Sequence, residues 1–103
     1  GKYAGDVIPE GSRRSLNPDL SGRITPAVFP AVAAYLGIAG RHGLDPCQMA
    51  IAFCRSRPFT TIPIIGATTL PQLQTNLGAA SLTLSPEVLA EIAETHRAYP
   101  APY

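Results

Sequence analysis

The amino-acid sequence predicts an α/β fold, and two observations lead to that prediction. Residues 60–65, TTIPII, form a short apolar, β-branched run that is typical of a strand covered on both faces. Four other segments have helix start signals and apolar residues at helical spacing. A lone strand has nothing to pair with, so two interpretations are open: a small helical domain with one extended linker, or part of a larger α/β protein. The missing strand partners favour the second.

The composition is that of a folded domain with no nucleic-acid or membrane signature. The 103 residues allow one domain, and 46% of them are hydrophobic against 15% charged. The formal net charge is only +1, whereas nucleic-acid-binding domains usually carry a clear basic excess. No apolar run approaches the roughly 20 residues that span a bilayer. We therefore expect neither a nucleic-acid nor a membrane partner.

The two cysteines predict a reducing environment and no metal site. Cys47 and Cys54 lie two helical turns apart, about 10.5 Å between Cα atoms, which is too far for a disulfide. We expect them to be buried thiols in a cytoplasmic protein. His42 and His96 do not complete a metal-ligand cluster with them.

Helix signals divide the first half of the chain. Residues 1–24 are rich in Gly, Pro and Ser and lack periodicity, which predicts an irregular loop. Thr25-Pro26 then starts a helix that ends at Gly43, with Thr25 as the N-cap. Asp45-Pro46 repeats the signal, and the second helix is predicted to end near Arg57, before a proline.

The second half begins with the predicted strand at residues 60–65. Thr69-x-x-Gln72 is a capping-box pattern that starts a helix over 70–79, and Ser85-Pro86 starts a last helix that ends near Arg97. No charged residue occurs between Pro58 and Pro86. The helix over 70–79 therefore lacks an ordinary solvated face, as expected of an element with partners on several sides.

The junction IIGATTLPQLQTN, residues 64–76, has features of an anion site. Backbone N–H groups and the dipole at a helix N-terminus favour negative charge. Gly66 allows the backbone to approach a ligand closely, and Thr68 adds a hydroxyl donor. Gln72 and Asn76 lie four residues apart, so they share a helix face and could contact a base edge. The alternative is that these polar groups only cap the helix, and the local pattern alone favours this alternative.

Four blocks of sequence together resemble the C-terminal part of the aldo-keto reductases: GKY at 1–3, SRRS at 12–15, HGLDPCQMAIAFCRSRPF at 42–59 and IIGATTLPQLQTN at 64–76. The closest resemblance is to the bacterial Tas branch, which is related to the potassium-channel β-subunits. It implies a fold that is a C-terminal fragment of a (β/α)8 TIM barrel. Residues 1–103 would then be the C-terminal portion of the reductase domain, with 1–24 as the loop after strand 7, 60–79 as strand 8 and helix 8, and 85–103 as the C-terminal helix and tail.

The resemblance also implies a site for NADPH. Lys2 matches the lysine that contacts the NADPH phosphates, and Arg13 matches the arginine that meets the 2′-phosphate and the adenine side. Gly66 and Thr68 match the backbone and hydroxyl positions at the 2′-phosphate.

The helix after the junction carries the other cofactor matches. Gln72 matches the glutamine beside the ribose phosphate, and Asn76 the asparagine at the adenine edge. Thr75 departs from the pattern, because many relatives have a glutamate there that helps to hold adenine.

The implied function is NADPH-dependent reduction of aldehydes or ketones to alcohols by the intact parent protein. In the family, a tyrosine donates the proton, supported by Asp, Lys and His, and all four lie on earlier strands. The resemblance therefore implies no catalytic residue in this chain, and we expect the chain alone to be inactive.

Two alternatives stay open from the sequence. One is a non-catalytic NADPH-binding regulatory subunit, which the resemblance to channel β-subunits allows. The other is a helix-turn-helix DNA-binding module built from residues 26–57. The apolar run from Met49 to Phe53 argues against the second, as does the position of Arg55 and Arg57 at the end of the recognition helix.

Overall fold

The computed structural model describes residues 4–102, so Lys2 lies outside the described residues. Between those limits the chain forms five α-helices: α1 (Arg13–Leu16), α2 (Val28–Arg41), α3 (Pro46–Arg55), α4 (Leu70–Gly78) and α5 (Pro86–Ala98). Short 3-10 turns occupy Ala4–Asp6 and Ala79–Ser81. The four helices expected from the sequence are therefore present. The loop at the start is more ordered than predicted, since it contains α1 and a 3-10 turn.

The caps of the later helices follow the sequence. The Asp45 carboxylate accepts hydrogen bonds from the N–H groups of Cys47 at 2.8 Å and Gln48 at 3.0 Å. The Ser85 hydroxyl accepts from the N–H of Val88 at 3.3 Å. Each of these short polar side chains satisfies donors that the first helical turn leaves unpaired.

The predicted Thr25 cap is wrong. Helix α2 begins at Val28, and its N-cap is Ala27, whose side chain offers no acceptor. The Thr25 hydroxyl instead donates to the carbonyl oxygen of Pro102. Thr25 thus ties the chain before α2 to the C-terminal tail, because its hydroxyl finds an acceptor far away in sequence.

A hydrophobic core forms where α2, α3 and α5 meet. Its most enclosed large side chain is Ile38 of α2, which is 1% exposed. The buried members of the cluster are Ile38, Ala39, Met49, Ala52, Leu84, Val88 and Ile92. Leu89 contacts the same cluster, so it and Leu84 contribute apolar surface on both sides of the α5 cap. Burial of these side chains is the main source of stability for the three helices.

The cysteines differ from expectation. Cys47 and Cys54 are both exposed free thiols. Cys54 borders an open apolar groove together with Val32 and Phe53 instead of entering the core. The helical spacing placed both thiols on α3, but the side of α3 that is covered is the one bearing Met49 and Ala52.

The predicted strand is not confirmed. Residues 60–67 have no regular secondary structure, and residues 4–102 include no strand to pair with them. A strand is stable only through hydrogen bonds to a neighbour. Ile62 and Ile64, which are two residues apart, are 83% and 100% exposed. Pro63 and Ile65 line a hollow with Ile51 of α3. The segment therefore lies against the helices by one side only.

None of the helices within residues 4–102 combines the length and the apolar character that crossing a membrane requires.

Candidate functional site

The junction before α4 brings four of the predicted site residues together. The side-chain oxygen of Gln72 accepts two hydrogen bonds from Thr68, one from its N–H at 3.0 Å and one from its hydroxyl at 2.9 Å. The side-chain amide of Asn76 donates to the carbonyl oxygen of Gly66 at 3.3 Å. These two links fold the turn back over the first turns of α4. The local pattern in the sequence was sufficient to place Gly66, Thr68, Gln72 and Asn76 in one cluster.

The capping box at this junction forms only in part. The hydroxyl of Thr69 accepts from the N–H of Gln72 at 3.4 Å, as predicted. The side chain of Gln72 bonds to Thr68 and not to the N–H of Thr69, which the capping-box pattern requires. The reason is that Thr68 offers two donors to one oxygen, whereas the backbone of Thr69 offers one.

The donors that face outward at this helix start are few. Pro71 has no N–H, and the N–H of Gln72 is already capped by Thr69. The N–H and hydroxyl of Thr68 are both directed at a single point in space, which the Gln72 oxygen occupies. Gly66, Thr68 and Gln72 are all exposed to solvent. An anion can therefore reach the Thr68 donors if the Gln72 side chain moves aside.

Two side chains of α3 hold α4 in position. Gln48 donates its side-chain N–H to the carbonyl oxygen of Thr75 at 2.9 Å. Arg55 donates to the carbonyl oxygens of Ala79 and Ala80, each at 2.8 Å, at the C-terminal end of α4. A cation there complements both the unpaired carbonyls and the helix dipole. Gln48 and Arg55 lie seven residues apart and therefore share a face of α3. These two polar side chains, together with a following helix that has no charged residue, were a signal in the sequence for the contact between α3 and α4.

Arg13 forms no hydrogen bond with the junction residues that the structure describes. Arg13 is exposed, and it lines an open groove with other residues of its own loop: Leu16, Asn17, Leu20, Ser21 and Arg23. Of the predicted cofactor residues, four are therefore clustered, Arg13 lies on a different loop, and Lys2 is outside the described residues.

Arg14, the neighbour of Arg13, is the residue that the sequence did not single out. It is 4% exposed although it carries a full charge. Its guanidinium forms an ion pair with Asp6 and donates to the carbonyl oxygen of Pro18 at 3.0 Å. A buried charge is tolerated only when it is paired and hydrogen-bonded. Two adjacent arginines gave no sign of which one would be buried.

The histidines belong to no metal site. Residues 4–102 include no group of three or more His, Cys, Asp or Glu side chains that could hold a metal ion.

His42 is hydrogen-bonded through Nε2 to Glu91 Oε1 at 2.7 Å, and Arg41 forms an ion pair with the same carboxylate. The hydrogen bond from Arg41, followed by that from His42, lowers the pKa of Glu91. This cluster connects the end of α2 to α5.

A glycine- and threonine-containing turn before a capped helix also occurs at phosphate sites of α/β barrels. The aldo/keto reductase family model matches residues 2–97, so the chain belongs to the aldo/keto reductase family. This confirms the resemblance seen in the four sequence blocks. Membership of the family implies that the chain is part of a (β/α)8 barrel.

Several curated proteins are similar to this chain. It is 47% identical to "Protein tas" of Escherichia coli K12, over 99% of the chain and 30% of that protein. It is 34% identical to the "Probable voltage-gated potassium channel subunit beta" of Arabidopsis thaliana, over 97% of the chain and 32% of that protein. An uncharacterized oxidoreductase of Mycobacterium bovis is 31% identical over 96% of the chain and 30% of its own length. The chain thus spans about a third of the length of the curated relatives it matches.

The family match bears on the helix-turn-helix alternative. Helices α2 and α3 are joined by a short turn, as that motif requires. The cation Arg55 lies at the C-terminal end of α3 and is bonded to the carbonyl oxygens of Ala79 and Ala80, whereas a recognition helix usually contacts bases with its N-terminal residues. Together with the family match, this favours the reductase interpretation.

Proposed function

We propose that the protein containing this chain reduces aldehydes or ketones to alcohols with NADPH. In this proposal the chain supplies part of the site for the adenosine-phosphate half of the cofactor, and the proton-donating tetrad lies elsewhere in the protein. When bound, NADPH supplies the hydride that reduces the carbonyl carbon. The residues of this chain bind and orient the cofactor and take no part in proton transfer. Family membership and the printed name of the oxidoreductase relative support this class of reaction.

The observation that carries the proposal is the convergence of two Thr68 donors on one oxygen. The Gln72 oxygen lies 3.0 Å from the Thr68 nitrogen and 2.9 Å from its hydroxyl. A phosphate oxygen accepts hydrogen bonds in the same geometry and carries more charge, so it is a stronger acceptor. The side-chain amide thus stands where a phosphate oxygen would fit. The space around the position of a Cβ on Gly66 is open, since nothing lies within 4 Å of it.

The charge for this interaction has to come from outside the junction, because residues 59–85 include no charged side chain. In our proposal Arg13 provides it at the 2′-phosphate and Lys2 at the other phosphates, while Asn76 contacts the adenine edge. The exposed guanidinium of Arg13 can form a planar, bidentate contact with phosphate. A small carbonyl compound is the proposed second ligand, and we propose neither a nucleic-acid nor a membrane partner. The cytoplasmic location stays a prediction.

Substitutions of Arg13 test the cofactor assignment in the protein that contains this chain. A charge-assisted hydrogen bond contributes roughly 1.5–3 kcal/mol, and each 1.4 kcal/mol is about tenfold in affinity. We expect Arg13→Ala to weaken NADPH binding by about ten- to a hundredfold and to change NADH binding far less. Arg13→Lys should recover only part of the affinity, because an ammonium group lacks the planar fork. The measurement is a fluorescence titration with each cofactor.

Thr68 provides the matched control. Thr68→Val removes the hydroxyl and keeps the shape of the side chain, so the affinity for NADPH should fall by about tenfold or less. Thr68→Ser keeps the hydroxyl and should bind NADPH normally.

Equal losses of NADPH and NADH affinity in Arg13→Ala would mean that Arg13 does not read the 2′-phosphate.

A second candidate function is a non-catalytic NADPH-binding regulatory subunit. It is favoured by the similarity to a protein named as a probable potassium channel subunit beta. Both candidates use the same cofactor residues, so binding data do not separate them. Consumption of NADPH in the presence of aldehydes by the whole protein separates them, because only the reductase oxidises the cofactor at an appreciable rate.

A further inference from the structure

The loop that carries Arg13 is organised by a second arginine, Arg14. Most of residues 4–24 is exposed, yet Arg14 is 4% exposed. Its Nε donates to the carbonyl oxygen of Pro18 at 3.0 Å, and Nη1 donates to the carbonyl oxygen of Val7 at 3.3 Å. Nη2 forms the ion pair with the Asp6 carboxylate. All three guanidinium nitrogens are therefore in use.

These contacts join points of the chain that are distant from one another. Asp6 and Val7 precede α1, and Pro18 follows it. The guanidinium also lies 5.9 Å from the centre of the Phe29 ring, on α2. Arg14 thus connects both arms of the loop to each other and brings them next to the first turn of α2. A helix of four residues is too short to be stable by itself, so α1 depends on this connection.

Burial of Arg14 fixes the direction of Arg13. Successive residues of a helix are about 100° apart around its axis. With Arg14 held on the inner side of α1, Arg13 is directed outward, where it is exposed and borders the open groove of the loop. An exposed arginine that is free to sample many directions loses conformational entropy when it binds a ligand. A fixed backbone reduces that loss.

We propose that Arg14 is a positioning residue that orients Arg13 toward the 2′-phosphate of the cofactor. This rests on the proposed function, in which Arg13 makes that contact. Arg14 itself touches no ligand, since its three nitrogens are bonded to the loop. Lysine cannot replace it fully, because one ammonium nitrogen cannot reach three separate acceptors in the guanidinium plane.

The test is a double-mutant cycle read with two small probes. 2′,5′-ADP carries the 2′-phosphate, and 5′-AMP lacks it. Calorimetric titration of the whole protein that contains this chain, with each probe, compares Arg14→Met, Arg13→Ala and the double variant. We expect Arg14→Met to weaken 2′,5′-ADP binding by about five- to tenfold, because it loosens Arg13, and to change 5′-AMP binding by less than about twofold. In the Arg13→Ala background, Arg14→Met should have almost no further effect on 2′,5′-ADP.

Matched variants separate positioning from a general loss of structure. Arg97→Met removes an exposed arginine of α5 and should leave the binding of both probes unchanged. Arg14→Lys should restore part of the loss. Asp6→Asn keeps an acceptor oxygen for Arg14 and removes only the charge. It is the milder variant to use if Arg14→Met does not fold. We expect it to cause a smaller loss of affinity, confined to 2′,5′-ADP.

Three results would overturn the proposal: equal weakening of both probes by Arg14→Met, no weakening of either, or a loss that is as large in the Arg13→Ala background as in the original chain. Failure of the proposed function gives a different result. In that case Arg13→Ala leaves 2′,5′-ADP binding unchanged, and the roles of both arginines are overturned together.

Discussion

The helical core and residues 59–70, an uncharged segment that begins after α3, contain similar side chains in opposite environments. Ile38 in the core is 1% exposed, whereas Ile64 in the segment is 100% exposed. Phe59, Ile62 and Leu70 of the same segment are also largely exposed. Hydrophobicity is the same in both regions, so the difference lies in the available partners. Helices α2, α3 and α5 find one another within this chain, while an extended segment needs neighbouring strands.

The alternation along the segment agrees with this interpretation. Ile62 and Ile64 are exposed on one side, and Pro63 and Ile65 face α3 and α4 on the other. Side chains of an extended chain point alternately to opposite sides. The segment thus has the two apolar sides of a buried strand, and one of them is partly covered by helices. In a (β/α)8 barrel the other side would face the barrel interior.

The largest effect should come from paired isoleucine substitutions in the two regions. Ile38→Ala leaves a cavity in the core and should lower the free energy of unfolding by about 2–5 kcal/mol. In the 103-residue chain, Ile64→Ala removes a fully exposed side chain, so the change should be within about 0.5 kcal/mol. Urea denaturation followed by circular dichroism measures both. Similar losses for the two variants would mean that the segment is buried in solution, and the comparison would fail.

A smaller effect is expected at the contact between α3 and α4, where the two regions meet. A Cβ atom on Gly78 would lie 2.4 Å from Nε2 of Gln48. Gly78→Ala should therefore displace Gln48 and break its hydrogen bond to Thr75, a penalty of about 1 kcal/mol that offsets the gain alanine otherwise brings to a helix.

Gly40 is the matched control for this substitution. It lies in α2, and nothing is within 4 Å of the place of its Cβ. Gly40→Ala should stabilise the protein by up to about 1 kcal/mol, because alanine restricts the unfolded chain more than glycine does. In a Gln48→Ala background the penalty of Gly78→Ala should disappear. If it persists there, the Gln48 contact is not its cause.

The smallest effect should be a dependence on pH that arises in the helical region alone. The hydrogen bonds from Arg41 and His42 lower the pKa of Glu91 below its ordinary value of 4.5. A carboxylate with a lowered folded-state pKa stabilises the protein above the unfolded-state pKa, and the stabilisation is lost as the pH falls through the folded-state value. The free energy of unfolding should therefore decrease on acidification below about pH 4.5.

Two variants test the origin of this dependence. Glu91→Gln should flatten that part of the pH profile, and Arg41→Met should shrink it, because Arg41 makes the largest contribution to the lowered pKa. An unchanged slope in Glu91→Gln would assign the acid sensitivity to other carboxylates. Residues 59–85 have no charged side chain, so they should not contribute to the slope.

Signals confined to a few neighbouring residues predicted the structure best. The caps at Asp45 and Ser85 and the clustering of the junction residues depend on atoms within a few positions of each other. Predictions failed where the deciding atom was distant in sequence. Thr25 has its acceptor at Pro102, and the strand at 60–65 lacks any partner within residues 4–102.

The candidate site shows the same division. Gly66, Thr68, Gln72 and Asn76 could be grouped from their spacing alone. The place of Arg13 could not be obtained that way, because it depends on which of two adjacent arginines enters the loop interior. The choice of Arg14 follows from Asp6 and the carbonyl oxygens around it, which a linear pattern does not show.

The double hydrogen bond from Thr68 to Gln72 makes anion binding at this turn an exchange reaction. Each hydrogen bond that an arriving oxygen gains from Thr68 is one that Gln72 gives up, so the net heat released by Thr68 should be small. Rotation of an exposed side chain takes picoseconds to nanoseconds, so this exchange does not slow association. A half-turn of the Gln72 amide then presents its NH2 group in place of its oxygen. The same side chain can thus act as an acceptor toward Thr68 and as a donor toward an anion.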